Sequence, residues 1–212
     1  MRRSKLWIGF GVGIGLGALA WGVARWRDAA ERAETAGALV REAEEKIESW
    51  DPAAETSGGP TLSEARGLLQ RALDILPGSP SADRAMGRLL YRRGEFRNAL
   101  AHYDRALRSA EAPAAWFREA GHVYFQIYFL RGGPGKVESR DALLGALDRY
   151  ERALDRDGSD REALKYAGSL HHGEGNRERR NALWNRLLEV APDWEGTTEV
   201  RELLEAERAS PK

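Results

Sequence analysis

Residues 80–113 read PSADRAMGRLLYRRGEFRNALAHYDRALRSAEAP. A proline opens the stretch and another closes it; between them, Ala-, Leu- and Arg-rich segments are divided by Gly94. That punctuation predicts two short helices joined by a tight turn, with the small residues Gly87, Ala99 and Ala106 and the large residues Tyr91, Phe96 and Tyr103 at helical spacing.

On either side of this stretch the same residues return. Ala65, Leu69 and Ala72 recur 34 positions later as Ala99, Tyr103 and Ala106, and Gly87 recurs as Gly121. The next step is 47: Gly121 to Gly168, Tyr103 to Tyr150, Ala106 to Ala153. Then 34 returns, taking Tyr150 to Trp184. One insertion of 13 residues accounts for the exception, and Arg131-Gly132-Gly133-Pro134-Gly135-Lys136 marks its place. Small residues fall where paired helices must approach closely. A single hairpin cannot bury its apolar stripe alone, so neighbouring hairpins are expected to stack into a curved array.

The period and its residues resemble the tetratricopeptide repeat (TPR) family, whose unit has 34 residues and the pattern W-x2-L-G-x2-Y, A-x3-F, P. The copy from Pro80 to Pro113 carries Met86-Gly87, Tyr91, Gly94, Phe96, Ala99, Tyr103 and Ala106-Leu107. Pro77 and Pro192 stand at the closing place of flanking units, and the copy from Ala114 keeps Phe117, Gly121, Tyr124, Ala146, Tyr150 and Ala153. The copy from Arg161 departs: Arg180 replaces a small alanine and Leu187 the later one. Of the first hairpin, roughly Ala30 to Leu76, only the second helix is clear. The resemblance implies an all-α chain, a TPR-like α-solenoid of about four helical hairpins, with Thr197 to Arg208 as a polar C-terminal capping helix.

In that family the first helix of each hairpin lines the concave surface. Carried over residue by residue, the resemblance implies a groove of Arg84, Arg88 and Tyr91, then Arg118, His122 and Phe125, then Lys165, Ser169 and His172. Cations beside aromatic rings suit an acidic or C-terminal-carboxylate peptide. The alternative is that the charges are solvated and Tyr91 and Phe125 pack between hairpins. The run Tyr124, Phe125, Ile127, Tyr128, Phe129, Leu130 leads into the insertion. It is expected to pack against a lengthened helix bearing Leu143, Leu144 and Leu147 rather than to form a docking patch.

Ahead of the repeats, Leu6 to Ala24 holds 19 residues without a charge. A helix of that length, at about 1.5 Å per residue, nearly spans a hydrocarbon core of roughly 30 Å. Trp7, Trp21 and Trp26 stand near its ends, and Arg2, Arg3 and Lys5 precede it. The expectation is an N-terminal transmembrane helix, single-pass in a bacterial inner membrane, with the repeat domain in the periplasm. A signal peptide cleaved near Ala18-Leu19-Ala20 is the alternative. Gly9, Gly13 and Gly17 lie on one side of the span, Gly11, Gly15 and Gly22 on nearly the opposite side, which would let neighbouring helices pack closely. The chain thus divides into a tail and transmembrane helix (1–24), a helical linker and divergent first helix (25–60), repeats (61–194), and a capping helix with its tail (195–212).

Composition narrows the function. Lys plus Arg and Asp plus Glu number 33 each, which argues against a nucleic-acid partner. No cysteine is present, which removes disulfides, thiolate metal sites and thiol nucleophiles. Gly132-Gly133-Pro134-Gly135-Lys136 fails as a phosphate loop, because Leu130 stands at the first glycine place and Val137 at the Ser or Thr place. His171 and His172, adjacent on a helix, point about 100° apart and do not chelate one ion. No nucleophile elbow is present. No catalytic residue, metal or cofactor is expected. The function expected is a membrane-anchored interaction scaffold or assembly factor for a membrane or exported protein complex. A stable subunit packing through its glycine-rich helix and a cytoplasm-facing targeting receptor are the alternatives.

Overall fold

The computed structural model describes residues 7–51 and 62–209, with side chains from residue 21 onward. Among the described residues every regular element is helical. In chain order these are α1 (Trp7–Glu48), α2 (Leu62–Ile75), α3 (Pro80–Arg92), α4 (Phe96–Ala106), α5 (Ala114–Leu130), α6 (Arg140–Arg156), α7 (Arg161–Gly173), α8 (Arg177–Val190) and α9 (Thr198–Ala209). Two short 3-10 turns, Val137–Ser139 and Glu195–Thr197, lead into α6 and α9. The chain divides into two compact units, Met1–Ala82 and Asp83–Lys212.

In the first unit, α1 buries Ala36, Val40, Ala43 and Ile47, spaced four, three and four apart, so they form one narrow stripe. The facing stripe of α2 is Leu62, Ala65, Leu69 and Ala72. A salt bridge of 3.0 Å between Lys46 Nζ and Glu64 Oε2 flanks the seam. The first helix of this hairpin is therefore the end of α1, whose apolar stripe is diluted by its charged faces.

The transmembrane expectation is corrected here. Among the described residues, no helix is long and apolar enough to cross a membrane. The helix does not stop where the uncharged run stops. From Trp7 to Glu48 it runs 42 residues in all, about 63 Å at about 1.5 Å per residue, or roughly twice a hydrocarbon core. From Trp21 on it exposes Arg25, Arg27, Asp28, Glu31, Arg32 and Glu34 to solvent. The inner-membrane, periplasm-facing localisation goes with that span. The side-chain surroundings of Gly9, Gly11, Gly13, Gly15 and Gly17, and of the Ala18-Leu19-Ala20 cleavage alternative, lie outside the described residues. At Gly22 a Cβ would meet nothing within 4 Å, so no described helix is seated there.

The second unit repeats one packing device. An aromatic ring on the second helix of each hairpin lies on a glycine of the first: Tyr103 on Gly87, Tyr150 on Gly121 and Trp184 on Gly168. The hairpin of α5 and α6 adds the reciprocal pair, with Tyr124 of α5 on Gly145 of α6. Turns repeat too. After α3, Gly94 takes φ 74° and Glu95 N donates to Leu90 O at 2.9 Å; after α7, Gly175 takes φ 74° and Asn176 N donates to His171 O at 2.9 Å. Both close the helix with a six-to-one bond that needs a left-handed residue, which glycine adopts without penalty.

The insertion lengthens α5 and displaces that turn. Gly133 N donates to Tyr128 O at 3.0 Å, and Gly132, Gly133 and Gly135 all have positive φ. Ser139 Oγ donates to Gly133 O at 2.6 Å, and Glu174 at the end of α7 accepts from Tyr128 Oη at 2.7 Å. Tyr128 is buried and Phe125, Leu143 and Leu147 pack on the central core. Phe129, Leu130 and Leu144 are exposed, so the aromatic run is divided between core and surface.

At the C-terminal end, α9 lays Val200 and Leu204 over Leu164, Trp184 and Leu187. Arg180, the departure at an alanine place, is only 5% exposed. Its guanidinium bonds Asn181 Oδ1 and pairs with Glu207 of α9, and it lies 5.5 Å from the Trp184 ring centroid. The large side chain is there because it ties α8 to the last helix.

Candidate functional site

Three helices of the second unit set out the expected groove residues at matching heights. Arg84, Arg88 and Tyr91 are spaced four and three apart on α3, so they share one face. Arg118, His122 and Phe125 repeat the spacing on α5, and Lys165, Ser169 and His172 on α7.

The first residue of each set reaches forward one hairpin to a carboxylate. Arg84 Nε donates to Glu119 Oε2 at 2.8 Å. Arg118 Nη1 donates to Asp160 Oδ2 at 2.7 Å, and its Nε stands 3.1 Å from Glu162 Oε2. Lys165 Nζ lies 3.5 Å from Glu199 Oε2 and 5.8 Å from the Trp194 ring centroid. The ladder of cations is thus answered by a ladder of acids on the same chain. The Arg84–Glu119 and Arg118–Asp160 contacts are part-buried and charge-assisted, and they fix the register of successive hairpins. Asp160 has a second duty, accepting from Ala163 N at 3.0 Å as the N-cap of α7.

Beneath that ladder, Arg88, Tyr91, Arg118 and His122 come together around a hollow of about 230 Å³, with Glu119 and Glu162 in its wall. His122 sits edge-on to Tyr166, with ring centroids 4.7 Å apart, and 5.7 Å from Tyr150. Tyr150 and Tyr166 stack at 6.2 Å and 15°. Burial pushes the His122 imidazole below the usual histidine range, against the pull of Glu162, so the ring is neutral near pH 7. Burial likewise raises the Tyr150 phenol well above its usual value, with Tyr166, Tyr91 and Glu162 adding to it. Three buried polar atoms in this region have no hydrogen-bond partner among the described residues: His122 Nε2, Tyr150 Oη and Arg118 Nε, whose contact with Glu162 is an ion pair only.

The remaining expected residues lie apart from the hollow. Phe125 packs on Tyr166 at 5.1 Å and Phe129 at 4.8 Å. Ser169 Oγ donates to Lys165 O at 3.0 Å. His172 is exposed at the end of α7, its Nδ1 3.1 Å from Arg180 Nη1. Sequence reasoning did not single out Tyr166, Glu119, Asp160 or Glu162 for this face. Tyr166 sits next to the helix stripe already assigned to the groove, and the acids follow their cations by about one repeat. That second pattern was the available signal.

Comparison with solved structures places the fold. The chain is similar to TTC0263, a thermophilic TPR protein of Thermus thermophilus, with a TM-score of 0.58 at 17% identity, over 81% of this chain and 82% of that one. It is similar to the MamA protein, with a TM-score of 0.57 at 14% identity, over 81% of this chain and 93% of that one. Against a chain of the APC/C hetero-tetramer Cut9-Hcn1 the TM-score is 0.54 at 14% identity, covering 66% of this chain, which spans about a quarter (26%) of that chain's length. The likeness shows the TPR fold. No family model matches the sequence, and no curated protein sequence matches it.

Proposed function

We propose that the chain is a protein-interaction scaffold that captures a segment of a partner protein on the face shared by α3, α5 and α7. The observation that carries this reading is the hollow between those helices, where Arg88, Tyr91, Arg118 and His122 converge. Pockets that hold a partner's side chain are concave and partly aromatic, with a few fixed polar groups. A repeat stack supplies them on rigid helices, which keeps the entropic cost of capture low. An assembly role suits such a surface, and one similar structure is itself a hetero-tetramer.

The groove's cations modify the expected ligand. Arg84, Arg118 and Lys165 already meet carboxylates of the next hairpin, so an acidic peptide must compete with Glu119, Asp160, Glu162 and Glu199 for them. Binding therefore draws on the hollow and its rings more than on a free row of charge.

Crosslinking through a photoreactive side chain tests the reading. A probe replacing Tyr91 is expected to capture a defined partner in stoichiometric yield. A probe at Arg152 on the exposed surface of α6 is expected to capture none. Equal capture from both positions, or none from Tyr91, overturns it.

A further inference from the structure

We infer that the groove between α6, the inserted loop and the end of α7 is a second docking site, for a partner segment in which an aliphatic side chain lies within two residues of a carboxylate. None of its residues lines the hollow between α3, α5 and α7, so the inference stands apart from the capture reading above.

The insertion builds this groove. Arg140, Leu143, Leu144 and Leu147 are spaced three, one and three apart on α6, so they share one helical face. That face differs from the stripe α6 buries, which is Ala142, Ala146, Tyr150 and Ala153. Lys136 and Val137 of the inserted loop, with His171 and Glu174 from the end of α7, complete the walls around about 420 Å³. A cleft of that size is in the ordinary range for ligand sites. The loop is fixed in advance: Ser139 Oγ donates to Gly133 O at 2.6 Å, and Gly135 N donates to Glu174 Oε1 at 3.4 Å. Docking against walls already in place loses little ordering entropy.

The floor and the charge together choose the occupant. Val137 is 84% exposed and Leu144 56%, while Leu143 and Leu147 are only partly buried against the central core. An aliphatic group laid across them removes apolar surface from water on both sides of the contact. Lys136 and Arg140 stand in the same wall, and neither side chain meets a carboxylate among the described residues. Arg84, Arg118 and Lys165, by contrast, are answered by acids of the next hairpin. The acid in the wall, Glu174, already accepts from Tyr128 Oη and Gly135 N, and Glu138 does not line the groove. Burial holds the His171 imidazole below the usual histidine range, so it adds no charge near pH 7. The unanswered charge of the groove is therefore positive, which favours an incoming carboxylate and opposes a cation. Spacing follows from the helix. Arg140 and Leu144 are separated by about 6 Å along the axis at about 1.5 Å per residue, and two residues of extended chain cover about 6.6 Å. An extended segment can thus set its aliphatic group on Leu143 and Leu144 while its acid reaches Arg140 and Lys136.

The test is a random peptide library displayed on phage, selected against the full chain and counter-selected against the full chain carrying Leu144→Asp, a change at an exposed position. The recovered peptides are expected to carry Leu, Ile or Val within two residues of Asp or Glu. In synthetic copies at low salt, changing the acid to its amide, or the aliphatic residue to alanine, should each weaken binding about tenfold. Lys136→Glu combined with Arg140→Glu should weaken the parent peptide by a similar factor. The same peptide with lysine in place of its acid should regain binding to that charge-reversed chain. Arg88→Ala, in the other hollow, should leave these peptides unaffected. Peptides without an acid, peptides indifferent to the charge reversal, peptides that respond to Arg88→Ala, or a selection in which Leu144→Asp removes nothing overturn this site and leave the Tyr91 crosslink to decide the capture reading separately. Self-association of the chain that Leu144→Asp abolishes would also overturn it, by making the groove a contact between copies.

Discussion

Gly121 and Tyr150 show how one hydrogen atom in place of a methyl group decides a hairpin. A Cβ on Gly121 would stand 2.7 Å from Tyr150 Cε1 and 2.9 Å from Cδ1, and that ring is 0% exposed with no room to step aside. Alanine gains about 1 kcal/mol in helix propensity over glycine. Overpacking a closed core costs about 1–3 kcal/mol, so the clash wins. Gly121→Ala should therefore lower the urea midpoint. Gly67→Ala, at an exposed position of α2 where a Cβ meets nothing within 4 Å, should raise stability by roughly 0.5–1 kcal/mol. Equal signs for the two variants would remove the ring-on-glycine argument. His122 provides a second test at this scale. Its folded-state proton affinity lies below the unfolded value of about 6.5 because burial disfavours the imidazolium. The stabilisation it gives is complete above about pH 6.5 and is lost as pH falls through the lower, folded value, because the unfolded chain then binds the extra proton. His171, also lowered chiefly by burial, acts in the same direction. Urea unfolding of the parent chain and of His122→Phe should therefore diverge above and below pH 6.5, with the shallower acid limb in the variant. Parallel curves would contradict a buried neutral ring.

Among the elements, the insertion was legible as an interruption but not as an object. The step from 34 to 47 marks where residues are added, and the glycines mark a turn. What the sequence does not display is the anchorage, because it is made with a residue about 40 positions away. Glu174, just beyond α7, accepts from Tyr128 Oη at 2.7 Å and from Gly135 N at 3.4 Å. Pro134 lies close against Gly173 beside them. The loop is thus tied to the neighbouring hairpin rather than swinging free. Glu174→Ala should speed amide exchange at Gly135 and the residues around it while leaving exchange in α3 and α4 unchanged. Unchanged exchange at Gly135 would show that Ser139 and the proline hold the loop by themselves. Arg180 teaches the same lesson for α8. As a letter it breaks the repeat pattern; as a side chain it pairs with Glu207 of the last helix and covers Trp184. Local propensity and spacing report helices and their small-on-large contacts. Long-range polar partners have no period of their own unless the acids are searched for as well.

Across the whole molecule, the hairpins from Thr61 onward were readable because a stacked array repeats its packing constraints with its period. The groove was half readable. The spacing that puts Arg84, Arg88 and Tyr91 on one face follows from helix geometry. That Arg84 and Arg118 are met by Glu119, Asp160 and Glu162 depends on how one hairpin leans on the next. The first segment misleads because an uncharged run is not an element in itself. Hydropathy counts residues in a window, whereas the helix runs on into charged turns that pack against α2.

An array with ends must also close them, and α9 does this for the second unit. Val200 is 1% exposed and Leu204 6%, and they cover Leu164, Trp184 and Leu187, which would otherwise form an open apolar face. Both cap residues replaced by aspartate would place charges against that face, at a cost far above their lost area. The doubly substituted chain should keep its helical circular-dichroism signal in the earlier hairpins, since each hairpin is stabilised mainly by its neighbours. It should shift the fluorescence of Trp184 to the red, bind a hydrophobic dye, and associate through the uncovered face as concentration rises. Loss of helix throughout would mean that the second unit unfolds as one block. Unchanged fluorescence with no association would mean that α9 covers nothing that matters.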